Sequence, residues 1–231
     1  MTQPTLNRHK MLSAWDDSRQ ARYRAAHPDM AVTFNFVVDA SPSMRGQSEC
    51  DLRRSFNQYL LWLKAHASPL SMAALRCFSS YLDPYSVVPL GQLEPLNTRT
   101  YDPSGGDGTA LYRAIGETCS DIAIGRSSGQ QVLVVFTDGL DNTSNVYGWT
   151  LEKTHDVLSG LIRTQGWLAV FLGAYPQALE VGCRLGFSEG NCLLLSTDQI
   201  PEAFRRLTAA TQRYLSAGPG QRKLLAQTGV F

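Results

Sequence analysis

The chain has 231 residues, 43% of them hydrophobic and 18% charged, a length that suggests one generous domain or two small ones and suffices to bury a core. Its 21 basic and 20 acidic residues leave a formal charge of +1, against a dedicated nucleic-acid or membrane-surface binder, which carries a large basic excess. No apolar run approaches the roughly 18–20 residues of a membrane span. The N-terminus lacks the apolar stretch of a secretory signal, and the five cysteines form no CxxC pair, so they read as reduced thiols of a cytoplasmic protein.

Residues 1–30 are polar and are expected to form a helical extension laid on the surface. From residue 31 short apolar runs alternate with amphipathic stretches. Residues 31–38 (AVTFNFVV) read as a strand, and 49–67 carries Leu52, Phe56, Tyr59, Leu60 and Leu63 at helical spacing. Residues 71–78 and 85–90 follow as strands, with Pro89 marking an edge or a strand end. The loop PSGGDG opens a helix from about Thr109 to Ile124, and 131–136 (QVLVVF) is apolar throughout, as a strand covered on both faces should be. A helix over 150–164, a buried strand over 167–175, a short helix over 176–187, a last strand over 192–196 and a closing helix over 201–216 complete the pattern. Gly-Pro-Gly at 218–220 is expected to break the chain before a basic-apolar tail, 218–231; the five basic residues and no acid from Ala203 to Phe231 read as a charged outer face, or the tail as a segment able to fold onto a partner.

This alternation predicts an α/β fold over 31–217: a doubly wound, mostly parallel, Rossmann-like six-stranded sheet with helices on both faces. Ligands of such sheets bind outside the carboxyl ends of the strands. Two central strands end in an aspartate there, one running into Asp39-Ala40-Ser41-Pro42-Ser43 and the other into Thr137-Asp138-Gly139. The glycine-rich loop before Thr109 should return to the same rim. Asp39, Ser41, Ser43, Thr109 and Asp138 would then meet as an all-oxygen set, suited to Mg²⁺, or to Mn²⁺ or Ca²⁺. Two carboxylates and three neutral hydroxyls under-neutralise such an ion, leaving it able to attract a carboxylate from outside.

The D-x-S-x-S of Asp39, Ser41 and Ser43, with Thr109 in GGDGTAL and Asp138 in an apolar-TDG context, resembles the metal-ion-dependent adhesion site of the von Willebrand factor type A (vWA) family. The resemblance covers roughly residues 31–200. It implies Ser41 and Ser43 as direct ligands, Thr109 as a direct or water-mediated one, and Asp39 and Asp138 in the first or second shell. TALYRAIG, TDGLDNTS, GWLAVFLGA and LGF…N are similar to an intracellular bacterial or phage branch in which the domain stands nearly alone. That branch implies an adaptor or regulator binding an acidic residue of a protein partner, beside an AAA+ ATPase or a kinase/phosphatase system, with no nucleic acid or membrane involved.

Asp107 reads as a solvated turn residue, or as extra charge at the site, and Asp141 as a cap or loop residue. An EF-hand loop starting at Asp39 fails, because Met44 stands where glycine is needed and Cys50 where an acid is needed. The G-x-S-x-G at Gly125–Gly129 sits between a helix and a following strand, the reverse of a nucleophile elbow, and reads as a flexible loop. His9, His27, His66 and His155 show no metal-ligand spacing. A metal-assisted phosphohydrolase and a purely structural metal site are the competing functions; the former would need a base, for which Asp107 and Asp141 are the candidates.

Overall fold

The computed structural model describes Arg22 and residues 31–125 and 129–231; the helical extension expected over 1–30 and the loop centred on Ser127 lie outside the described residues. Six strands form one sheet: β1 Val32–Asp39, β2 Met72–Phe78, β3 Val87–Pro89, β4 Gln130–Thr137, β5 Leu168–Gly173 and β6 Cys192–Leu194. Their order is β3-β2-β1-β4-β5-β6, parallel throughout except for β3, which pairs antiparallel with β2 at the edge. The helices are α1 Gln47–His66, α2 Leu111–Ile124, α3 Leu151–Gln165, α4 Ala178–Arg184, α5 Ile200–Ser216 and α6 Pro219–Thr228.

Alternation along the central strands builds two cores. Phe34, Phe36 and Val38 of β1, with Val132, Val134 and Phe136 of β4, bury one sheet face under Leu52, Phe56 and Tyr59 of α1 and Phe204 and Leu207 of α5. Val37, Leu133 and Val135 face the other way, against Leu111, Ile115 and Cys119 of α2 and Leu158 and Ile162 of α3. Burial on both faces is why these strands read as nearly unbroken apolar runs.

The run of β1 also contains Asn35, fully buried. Its amide donates to Gln131 Oε1 at 3.1 Å, and its oxygen accepts from the Tyr85 hydroxyl at 2.6 Å. Buried Arg76 completes this polar layer, donating to Asp121 Oδ2 at 2.6 Å, Thr118 Oγ1 at 3.1 Å and the Asp83 carbonyl at 3.0 Å. A buried polar group without such partners would lose the hydrogen bonds it made to water.

β1 pairs with β2 on one side and β4 on the other, so the strand order reverses between β1 and β4. The crevice of a doubly wound sheet opens at that reversal, outside the carboxyl ends of the two strands. Asp39 ends β1 and Asp138 directly follows β4.

In the segment 218–231, where a chain break and a tail were expected, residues Pro219–Thr228 are helical. Pro219 starts α6 at its first turn, a position proline tolerates because the amide there has no intrahelical partner. Arg222, read as an outward charge, turns inward, its guanidinium donating to the carbonyls of Tyr214 at 3.1 Å and Leu215 at 2.8 Å. Beyond α6, the amides of Val230 and Phe231 donate to the Gly190 carbonyl at 3.0 and 3.1 Å. Buried Asn191 completes the clasp, accepting from Val230 N at 2.9 Å and donating to the Ala226 carbonyl at 3.1 Å.

Replacing Asn191 with alanine leaves the Ala226 carbonyl without that donor and should lower stability by about 1–3 kcal/mol. Urea unfolding checks the magnitude. Hydrogen exchange should show the loss of protection concentrated in residues 219–231.

Candidate metal centre

The Asp39 carboxylate is fully buried at the end of β1. One of its oxygens accepts from the Ser41 amide at 2.7 Å and the other from the Thr137 hydroxyl at 2.5 Å. The Tyr101 hydroxyl donates to the Asp39 carbonyl at 2.7 Å, and the Ala40 amide donates to the Phe78 carbonyl at 2.6 Å. Side chain and backbone are thereby held from three directions before any ion is considered.

After Asp39 the chain turns through a one-turn 3-10 helix, Pro42–Met44, whose Met44 is buried in the core as an anchor. The turn presents Ser41 and Ser43 together, their hydroxyl oxygens 3.0 Å apart. Ser43 then donates to Asp138 Oδ1 at 2.7 Å. Arg45 ties the turn to the next segment, donating to the carbonyls of Pro103 and Ser104, each at 3.3 Å.

Thr109 arrives through two close approaches that explain the glycines before it. Gly106 has φ +96°, and a Cβ there would lie 2.3 Å from Ser79 Oγ; a Cβ on Gly108 would lie 2.6 Å from Thr143 Cγ2. Two bonds seat Thr109 against the loop after β4: its amide donates to Asn142 Oδ1 at 2.8 Å, and its carbonyl accepts from Asn142 N at 3.0 Å. The Thr109 hydroxyl is the nearest group to the Cβ position of Gly139, at 3.9 Å, beside Asp138.

All five expected residues therefore reach the switch point. A hydrogen-bonded chain runs from Asp39 through Ser41 and Ser43 to Asp138, and Thr109 is set alongside. Several supporting residues were not singled out in the sequence. Thr137 orients Asp39, Tyr101 fixes its backbone, Asn142 seats Thr109, and Ser144 donates to Asp141 and accepts from the Arg113 amide. Asp141 itself receives the Tyr112 amide at 2.9 Å and so caps the N-terminus of α2 from across the rim. The dense Asx and hydroxyl content of TDGLDNTS was the available signal for these caps. Asp107 is exposed, and its amide donates to Ser80 Oγ at 3.2 Å.

Electrostatics sharpen what this geometry can accept. Burial pushes the Asp39 carboxyl up to about 6; the bonds from Thr137 and Ser41 pull it down, and the Asp138 charge raises it further. Burial raises Asp138 too, with the Ser43 hydroxyl opposing. The donors to both carboxylates are hydroxyls and backbone amides, so two acids face each other with partial charges as compensation. Two carboxylates and three hydroxyls match the oxygen preference of a hard divalent cation, whose charge would relieve that pairing. Among the described residues no three His, Cys, Asp or Glu side chains are placed to hold a metal ion, so this mixed set is the candidate.

No protein-family model matches the chain, and no curated protein matches it in sequence. Solved structures share its fold. The vWF domain of the type V pili tip protein Mfa5 from Porphyromonas gingivalis matches with a TM-score of 0.59 at 11% identity, covering 82% of this chain and 98% of that one. The open conformation of the pilus adhesin SpaC from Lactobacillus rhamnosus GG gives 0.58 at 12% identity, over 77% of this chain and 29% of that one. Proximal thread matrix protein 1 from the mussel byssus gives 0.51 at 15%, over 78% of this chain and 46% of that one, so the chain spans less than half of that protein. The chain has a vWA-like fold.

The buried acid makes the cation-free protein sensitive to pH. Unfolded, Asp39 releases its proton near 3.8; folded, it keeps it until about 6. Between those values the native state binds more protons, so stability should fall as pH rises through that window, by about 3 kcal/mol in all. Asp39→Asn should flatten this slope and be the more stable protein at pH 7 in chelator. Urea melts from pH 4 to 7, taken as the difference between wild type and variant, check the sign.

Proposed function

We propose that this chain is a cytoplasmic vWA-type binding module that holds a divalent cation, Mg²⁺ first and Mn²⁺ or Ca²⁺ as alternatives, and uses it to capture an acidic side chain of a protein partner. The observation that carries this reading is the continuous link from buried Asp39 through Ser41 and Ser43 to Asp138, at the sheet's switch point. Asp39, Ser41, Ser43, Thr109 and Asp138 would hold the ion. When bound, the ion supplies a Lewis-acidic position for a carboxylate arriving from outside.

The chain's own residues prepare that event. Asp39 is fixed by Thr137, Ser41 N and Tyr101, so little ordering remains to be done at the moment of binding. Ser43 is exposed and Asp138 only half-buried, which leaves the outer side of the set open to solvent. Leu140, Val146 and Tyr147, in the segment that follows Asp138, are exposed apolar side chains.

Two further points favour binding over hydrolysis. The Asp141 carboxylate is occupied by the Tyr112 amide and by the amide and hydroxyl of Ser144, which removes one of the two bases a phosphohydrolase would use. Two of the fold neighbours are a pilus adhesin and a pilus tip protein by name. The sequence resemblance to intracellular bacterial members points to an adaptor or regulator acting beside an AAA+ ATPase or a kinase/phosphatase system.

Titrating Mg²⁺ or Mn²⁺ into chelator-treated protein should raise its melting temperature, as binding to the native state alone requires. Ser41→Ala and Asp138→Ala should weaken the affinity by roughly 10–100-fold or more. Asp39→Asn should lose the response while its cation-free form is the more stable, a pair of opposite signs that a folding defect would not give. Undiminished affinity in all three variants overturns the site. Partner recovery from the native host, with and without chelator, then separates capture from a structural role: retention that ignores both chelator and Asp138→Ala assigns the ion to stability alone.

A further inference from the structure

The last residues of α2 and the second half of α3 border an apolar groove of about 450 Å³, walled by Ala123, Ile124, Val157 and Leu161. Gly160 lines it as well, and a Cβ there would meet nothing within 4 Å. Ile124 is 79% exposed, a large aliphatic side chain left to water.

The groove lies at the end of the domain where the chain enters the sheet. Six residues beyond Ile124 the chain reaches Gln130, the start of β4, whose amide donates to the Ala31 carbonyl at 3.3 Å, directly before β1. Six residues span at most about 20 Å, so the segment 1–30 leaves the domain close to the groove. That segment is mostly polar, but Met11, Leu12 and Trp15 fall at a spacing that puts three large apolar side chains on one face of a helix. Residues 16–30 form the tether between them and the sheet, with an extended reach of about 50 Å.

We infer that Met11, Leu12 and Trp15 seat in the α2–α3 groove of their own chain, making the N-terminal segment a strap over that face. A tether of this length holds the triplet at an effective concentration of about millimolar, against which a second copy competes poorly. No charged side chain lines the groove, so it rewards burial of the apolar triplet and leaves neighbouring Lys10 and Asp16 in water. The groove between α1 and α5 is lined by Gln58, Arg205 and Gln212 and suits the triplet less. α2 carries the chain about 20 Å from the candidate metal centre to Ile124, so the seated strap leaves that rim uncovered.

Limited trypsin digestion of the full chain tests this at the Lys10–Met11 bond, which must leave the groove to be cut. Cleavage there should be roughly 10-fold or more faster in Leu12→Ser/Trp15→Ser than in wild type, because cleavage of a transiently opened state follows its population. Gly160→Leu should free the bond too: it fills the groove, and leucine suits a helix better than glycine, so the domain keeps its fold. Hydrogen exchange over 120–124 and 157–164 should be slower in wild type than in the double variant. Equal cleavage rates in wild type and double variant overturn the strap. Protection that survives Gly160→Leu places the segment elsewhere and overturns it as well, as does protection that fades on dilution, the mark of exchange between two copies.

Discussion

Everything at the switch point depends on a carboxylate placed where water cannot reach it. Asp39 is fully buried, and the charge that acts on it is that of a second acid. A buried carboxylate with dipoles alone for company is held at an energetic disadvantage, visible as its raised pKa. The fold tolerates this because Thr137, the Ser41 amide and the surrounding sheet leave the side chain no other place to go. A site strained in this direction favours positive charge, and the hydroxyls of Ser41, Ser43 and Thr109 supply neutral oxygens that add no further repulsion.

The rest of the rim serves to hold those oxygens still. Glycines at 106 and 108 let the loop before Thr109 press against Ser79 and Thr143 at distances no side chain permits. The loop after β4 does double duty: Asp138 faces the site, while Asp141, Asn142 and Ser144 satisfy backbone groups at the start of α2 and of the segment before it. Cap and candidate site belong to one loop, so a change in one acts on the other. At the opposite edge α4 packs on β6, and the C-terminal clasp closes on Gly190 and Asn191.

Much of the fold was legible beforehand because buried parallel strands and amphipathic helices leave different apolar periods. Six strands, the helices between them and the approach of three segments to one rim follow from that contrast. Less legible was anything in which one residue pattern permits two outcomes. Gly-Pro-Gly at 218–220 reads as a break, yet Pro219 opens a helix whose end is clasped at Gly190 and Asn191. Asn35 and Arg76 look out of place in strands until Tyr85, Gln131, Thr118 and Asp121 are brought to them.

By itself the chain's order of residues determined the class of fold and offered five oxygen-bearing candidates, since strand ends and their aspartates are local features. Only the tertiary structure decided that Ser43 meets Asp138, 95 positions away, and that Thr137 holds Asp39 across 98. Those pairings arise from β4 lying directly beside β1 in the sheet, and strand neighbourhood is a property of how whole elements cover one another's apolar faces. No short stretch of residues encodes it.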